Sequence, residues 1–226
     1  MHTETWSKVN FQGRAPLPRS GCKSVSYGSL LYFFGGYTTK PGNLKEFFSD
    51  MHCFDTETNS WSEINFSLAT SQVPSKRTDH SLVLFNDYLY LFGGKGGKSG
   101  KEDLYNDLYK FNLLTKTWTE IKGEREELKV SVGHSANVYK DSMYIFGGWN
   151  GKTCMDDFYQ YSFHTNIWYN LKISSGEKPC PRYRHETLVY GNSLYLFGGV
   201  NESQLRYYFD FILPILDSMI FINIIF

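Results

Sequence analysis

Apolar residues fall along this chain in short runs, and four of those runs end in a pair of glycines. They are LLYFFGG (30–36), YLYLFGG (88–94), SMYIFGG (142–148) and SLYLFGG (193–199). The first glycines, Gly35, Gly93, Gly147 and Gly198, are spaced by 58, 54 and 51 residues. Tryptophan keeps the same rhythm: Trp6, Trp61, Trp118 and Trp168 are spaced by 55, 57 and 50. Two unrelated markers with one period define an internal repeat. A period near 50 marks a solenoid, a propeller or an array.

The pattern within one period decides among these. In the second unit, 80–85 (HSLVLF) is a short apolar strand, Asn86-Asp87 is turn chemistry, and 88–92 is a second strand. Residues 93–101 (GGKGGKSGK) carry little that can be buried and are expected to be a loop. A third strand over 106–111, a turn, and an alternating fourth strand over 117–121 (TWTEI) complete the unit. No window has a helical period. The first unit repeats this with KSVSYG, LLYFFGG, MHCFD and SWSEINF, and the third with HSANVY, SMYIFGG, DFYQYS and IWYNLKI. The fourth opens with RHETLVYG and SLYLFGG and then loses the pattern. A lone outer-strand sequence, TWSKVNF (5–11), precedes the first unit. One sheet per unit cannot bury both faces alone, so the sheets must stack, and radial stacking makes a propeller. The paired glycines allow positive φ and leave room for a neighbouring sheet, while the tryptophan supplies contact area.

The glycine pair after an aromatic strand, the downstream Tyr/Phe strand and the tryptophan together resemble kelch repeats, over residues 5–200. An R-x-x-H element before the first strand (Arg77…His80, Arg182…His185) belongs to the same pattern. The third unit keeps only His134, and the first keeps Arg19 but has Cys22 in place of the histidine. Spacing and loop style are similar to the kelch domains of leucine-zipper-like regulators and multi-kelch adaptors. The resemblance implies an all-β kelch β-propeller over 1–206, with about four four-stranded blades at 20–66, 79–122, 133–173 and 184–206 and a leading strand at 5–11. Complete kelch rings usually have six or seven blades, so this ring is expected to be incomplete or truncated. Either the strand around Trp6 completes the fourth blade, or the chain is a fragment. The hydrophobic tail 207–226, rich in Ile and Phe as an A+T-rich intron read in frame would be, favours a truncated or mis-spliced gene model. As a membrane anchor the tail is short, and Pro214 and Asp217 interrupt it.

Composition narrows the function. With 23 basic and 23 acidic residues, the chain lacks the footprint of a nucleic-acid binder or of a polybasic membrane patch. Cys22, Cys53, Cys154 and Cys180 are far apart, contain no C-x-x-C pair, and read as free thiols. The N-terminus has no apolar run, so a cytoplasmic or nuclear location is expected. No G-x-S-x-G, H-E-x-x-H or P-loop is present, and no enzymatic activity or cofactor is expected. Cys22, His80, His134 and His185 share one repeat position and form a competent zinc set if they converge. The repeat phase instead predicts that each histidine hydrogen-bonds within its own blade, with no metal.

Because strand direction alternates, the loops joining strands two to three and strands four to one share a face. They are the long ones: 37–49, 67–78, 95–105, 123–132 and 174–183, with a shorter 149–155. Long, varied loops on a rigid scaffold are where binding usually lies. The expected binding residues are Trp149, Arg182, Arg77, Lys98, Lys101, Lys152 and Arg125, with Lys40, Lys45 and Lys178 on the same loops. The reading is a protein-interaction scaffold or adaptor. Its partner is a protein, and the resemblance implies a ubiquitin-ligase or cytoskeletal component.

Overall fold

A computed structural model describes residues 6–66, 71–98, 101–122, 128–129, 131–172, 178–201 and 212–214. Every regular element among them is a β-strand. The first blade contains β1 (Gln12–Gly13), β2 (Lys23–Tyr27), β3 (Leu30–Phe34), β4 (Tyr37–Lys40), β5 (Leu44–Phe47), β6 (Met51–Asp55) and β7 (Ser60–Glu63). Its main sheet runs β1-β7-β6-β3-β2. The second contains β8 (Arg77–Thr78), β9 (Ser81–Phe85), β10 (Tyr88–Phe92), β11 (Lys95–Lys98), β12 (Lys101–Leu104), β13 (Leu108–Asn112) and β14 (Thr117–Glu120), with the order β14-β13-β10-β9 in its main sheet. The third is β15 (Ser135–Tyr139), β16 (Ser142–Trp149), β17 (Cys154–Ser162) and β18 (Trp168–Asn170). The fourth is β19 (Tyr183–Tyr190), β20 (Ser193–Val200) and β21 (Ile212–Pro214). The first strands β2, β9, β15 and β19 pack in succession around the axis.

Two sequence expectations change. Residues 6–11 form no strand, and Trp6 is fully exposed. The chain instead reaches the outer edge of blade one, where Gln12 and Gly13 pair in parallel with Ser60 and Trp61. The leading segment therefore extends blade one and does not complete blade four. The expected third strand of blade four, at 207–211, lies outside the described residues. The strand that pairs with β20 is β21, with Ser193 opposite Pro214, so this unit continues past residue 206. Among the described residues β21 is the last strand of its sheet, a place where proline is tolerated.

Three apolar clusters lie between successive blades. Tyr32, Phe34 and Met51 of blade one pack on Leu82, Leu89, Leu91 and Phe111 of blade two. Val83, Tyr90, Phe92 and Leu108 of blade two meet Met143, Ile145, Tyr159 and Tyr161 of blade three. Tyr144, Phe146 and Phe158 meet Leu194 and Leu196 of blade four. At the first two seams the outer-strand tryptophan of one blade reaches the phenylalanine before the glycine pair of the blade behind it. Ring centroids are 5.0 Å apart for Phe34–Trp118 and 5.1 Å for Phe92–Trp168. Burial of each such phenylalanine contributes about 1.5–3 kcal/mol.

Candidate interaction face: the hairpin crown and the axial mouth

The glycine pairs are the seats on which the next blade rests. Gly36, Gly94 and Gly148 donate their N–H groups to the carbonyls of Arg77, Ser131 and Arg182, one blade on, each at 2.8 Å. A Cβ on Gly93 would lie 2.7 Å from the Ser131 carbonyl oxygen and 3.0 Å from Cε1 of His134. The next-blade histidine also stands edge-on to the phenylalanine before each pair. Phe34–His80, Phe92–His134 and Phe146–His185 have centroid separations of 5.6, 5.3 and 5.5 Å.

Each repeat arginine braces its own blade. Nη1 of Arg19, Arg77 and Arg182 donates to the carbonyls of Gly35, Gly93 and Gly198 at 3.0, 2.9 and 2.8 Å. Arg19 and Arg77 also hold the carboxylates of Asp50 and Asp107 through two bonds each. Burial pushes the Asp50 carboxyl up, but hydrogen bonds and charge from Arg19 and His52 outweigh it and hold the group below its ordinary value. In blade three Ser131 replaces the arginine. Its Oγ donates to the Gly147 carbonyl at 3.1 Å, and Lys129 takes over the neighbouring carboxylate of Asp157.

The histidines differ from the sequence reading. His134 and His185 have side-chain partners from another blade. Their Nε2 atoms pair with Ser81 and Ser135 of the preceding blade, at 3.0 and 2.9 Å. His80 sits on the corresponding seam, where Lys23 takes the serine's place, and among the described residues neither ring nitrogen has a hydrogen-bond partner. Burial drives all three histidines toward the neutral form, His134 and His185 to a pKa of about 3 and His80 well below its ordinary value. The three rings occupy successive seams. Among the described residues no group of three His, Cys, Asp or Glu side chains could hold a metal ion.

The long-loop face is more ordered than the sequence predicts. The glycine-rich stretch after Gly94, expected to be a loop, forms the hairpin β11–β12, with Lys95 opposite Leu104 and Lys98 opposite Lys101. Blade one raises the hairpin β4–β5, and blade three extends β16 and β17 past a bulge at Phe146/Gly148. The linker entering each blade adds a strand to the base of that blade's hairpin. The pairs are Ser20 with Tyr37, Arg77–Thr78 with Lys95–Gly96, Val132 with Trp149, and Tyr183 with Val200. Neighbouring hairpins touch. Glu102 receives hydrogen bonds from Lys45 of blade one at 2.8 Å and from Lys95 at 2.7 Å. Burial raises the Glu102 carboxyl, yet the two lysines together hold it below its ordinary value. Leu104 abuts Gly151 of blade three. The hairpins form one crown.

Inside the crown lies a cavity of about 350 Å³, lined by all four blades. Residues Gly21, Asp79 and Gly133, each just before a first strand, and Arg184, at the start of β19, form its mouth. All have positive φ, between 54° and 65°. Their backbones are chained around the axis: Asp79 N–H donates to Gly21, Gly133 to Asp79 and Arg184 to Gly133. A left-handed backbone costs Arg184 about 1–2 kcal/mol. The seam holds that conformation, which turns the side chain toward the axis beside Lys23 and Glu186.

A family profile described as the KLHDC2/KLHL20/DRC7 Kelch-repeats domain matches residues 1–199. The chain belongs to the kelch-repeat family. It is 29% identical to Kelch domain-containing protein 3 of Rattus norvegicus over 212 residues, which are 90% of this chain and 53% of that protein. It is 33% identical over 134 residues to the Leucine-zipper-like transcriptional regulator 1 homolog of Drosophila melanogaster, covering 56% of this chain and 13% of that protein. This kelch chain thus spans about half the length of the Kelch domain-containing protein 3 relatives it matches. The solved structure of YjhT superposes with a TM-score of 0.65 at 20% identity, over 80% of this chain and 59% of that one, a likeness of fold.

The crown sorts the expected binding residues. Lys98, Lys101 and Lys152 are exposed at hairpin tips, and Trp149 is half-buried with its backbone bonded to Val132. Arg77 and Arg182, expected on the binding surface, are buried and brace the glycine pairs from within. Arg125 lies outside the described residues. Lys40, Lys45 and Lys178 are engaged with Glu46, Glu102 and Asp156. The sequence reading missed Asp79 and Arg184. The signal for them was a repeat position whose identity varies directly before one that is histidine in three of the four units.

Proposed function

We propose that this kelch chain is a non-enzymatic scaffold or adaptor whose crown docks a protein partner. One observation carries the reading: three blades raise braced hairpins on a single face, those of blades one and two bonded to each other, with Lys98, Lys101 and Lys152 at their tips around an axial cavity. Braced ribbons lose little conformational freedom when a partner docks, which favours affinity. The lysine tips favour an acidic surface on the partner, and the half-buried Trp149 offers an anchor. The partner class that fits is a ubiquitin-ligase or cytoskeletal component in the cytoplasm or nucleus.

The test is affinity capture with the wild-type chain beside a Lys98→Glu/Lys101→Glu/Lys152→Glu variant, followed by identification of retained proteins. A protein retained by the wild type and lost from the variant, while both melt alike, supports crown docking. Equal retention by both places the binding surface elsewhere.

A further inference from the structure

The outer strands of the first three blades carry equivalent backbone edges, and the chain itself closes two of them. On blade one β1 runs parallel to β7, and the Gln12 N–H donates to the Asn59 carbonyl at 2.9 Å. On blade two Ser71 and Gln72 lie along β14. The Gln72 N–H donates to the Trp118 carbonyl at 3.0 Å. Ser71 Oγ accepts from the Trp118 N–H and Gln72 Oε1 from the Glu120 N–H, each at 2.8 Å. The edge of blade three is bare. The Ser162 N–H donates to the Ile167 carbonyl and the Leu171 N–H to the Phe158 carbonyl, so Ile167 and Leu171 face into the sheet. By the alternation of an antiparallel ladder, Trp168 and Asn170 turn their N–H and C=O groups outward. Among the described residues β18 ends its sheet, and nothing pairs with those groups. The side chains beside the bare edge differ as well. Where blade one has Ser60 and Ser62 and blade two has Thr117 and Thr119, blade three has Ile167 and Tyr169, 50% and 45% exposed. Exposed strand edges are ordinarily blunted by charge or proline, and residues 167–170 (IWYN) carry neither.

We propose that the outer edge of β18 is a strand-addition site for an extended segment of a partner protein. Blade two specifies the chemistry of that segment. A Ser-Gln pair in the guest meets Trp168 as Ser71 and Gln72 meet Trp118. The guest Ser hydroxyl accepts from the Trp168 N–H, the Gln N–H donates to the Trp168 carbonyl, and the Gln side-chain carbonyl accepts from the Asn170 N–H. Flanking guest residues are β-branched or aromatic and cover Ile167 and Tyr169, because cross-strand pairs of that kind are stabilising. Backbone bonds then anchor the guest, and its alternate side chains select it. The site lies on the outer rim of blade three, apart from the crown hairpins and the axial cavity, so it does not depend on docking at the crown.

The probe is the fluorescein-labelled peptide Thr-Ser-Gln-Val-Tyr-Val, titrated with the full chain up to ~1 mM and read by fluorescence anisotropy. Saturable binding is expected. N-methylation of the Gln nitrogen is expected to weaken it at least ~10-fold, and N-methylation of the following Val, whose N–H points away from β18, less than ~3-fold. Ile167→Thr/Tyr169→Thr gives blade three the hydroxyl residues of blade two, and is expected to weaken binding about tenfold with an unchanged melting curve. Absence of saturable binding overturns the proposal. So does equal weakening by the two N-methyl groups, or binding that the double variant leaves unchanged. A wild-type chain that sediments as a dimer, and that the double variant turns into a monomer, assigns the edge to a second copy and overturns it as well.

Discussion

Replacing Arg77 with alanine separates the two roles open to an R-x-x-H arginine. The side chain is 0% exposed, and its guanidinium donates to the Gly93 carbonyl, the Ser75 carbonyl and both oxygens of Asp107. It also lies 4.3 Å from the Tyr105 ring centroid. Asp107 is only 19% exposed, so truncation leaves a carboxylate without its countercharge and a glycine carbonyl without its donor. Breaking a buried pair from one side costs about 3–5 kcal/mol, and for a chain of this size each kcal/mol shifts Tm by roughly 2–4 °C. Arg77→Ala should therefore lower Tm by about 8–16 °C, taking ~4 kcal/mol as the central value. Circular dichroism melts and urea titrations read this directly. In a double-mutant cycle, Asp107→Asn should cost about 2 kcal/mol less in the Arg77→Ala background than in the wild type. A variant that melts like the wild type but no longer retains a partner would refute the bracing role and return Arg77 to the docking surface.

A matched pair of glycine substitutions tests the seats. Gly93→Ala meets a carbonyl oxygen and a histidine ring and should cost about 2–4 kcal/mol, whereas Gly198→Ala, with a similar φ in open space, should cost only the ~1–2 kcal/mol of a left-handed alanine. Equal losses in urea titration would contradict the seating of blade three on blade two. Stability should also depend on pH through the buried histidines. His134 and His185 are held neutral, with pKa values of about 3, so between there and the unfolded value of 6.5 only the unfolded chain takes up their protons. Stability is then complete above pH 6.5 and falls as pH drops below it, by up to about 2 kcal/mol per histidine on reaching pH 5. Chemical denaturation of wild type and His134→Gln across that window measures the slope, and identical slopes would show that His134 does not contribute.

The strands were legible because their cause is local. The alternation in TWTEI and the apolar run before each glycine pair fix β-structure whatever the neighbours do, and β14 and β10 appear where the sequence places them. The repeat also gave the glycines their role as packing seats. What needed coordinates was anything decided between blades. His134 and His185 bond to serines some 50 residues earlier, a partner that repeat phase cannot distinguish from one within the blade. Arg77 and Arg182 read as loop cations because the Asp107 carboxylate on Arg77 and the Gly93 and Gly198 carbonyls come from distant parts of the chain. Their recurrence in phase was the clue to a structural role. The hairpin β11–β12 was hidden because GGKGGKSGK has no apolar signal, and its order comes from backbone pairing with the linker strand β8. The leading segment around Trp6 carried a repeat marker without the rest of a strand, and the tryptophan has no seam to fill.

The most direct test of the account compares two charge reversals on opposite faces. Lys98→Glu/Lys101→Glu/Lys152→Glu alters the crown, and Lys116→Glu/Lys140→Glu alters the short turns at the other end of the blades. Binding of a captured partner to each purified variant, measured by titration calorimetry, should weaken at least ~100-fold for the crown variant and less than ~3-fold for the turn variant. The reverse order, or equal weakening in both, would contradict docking on the crown.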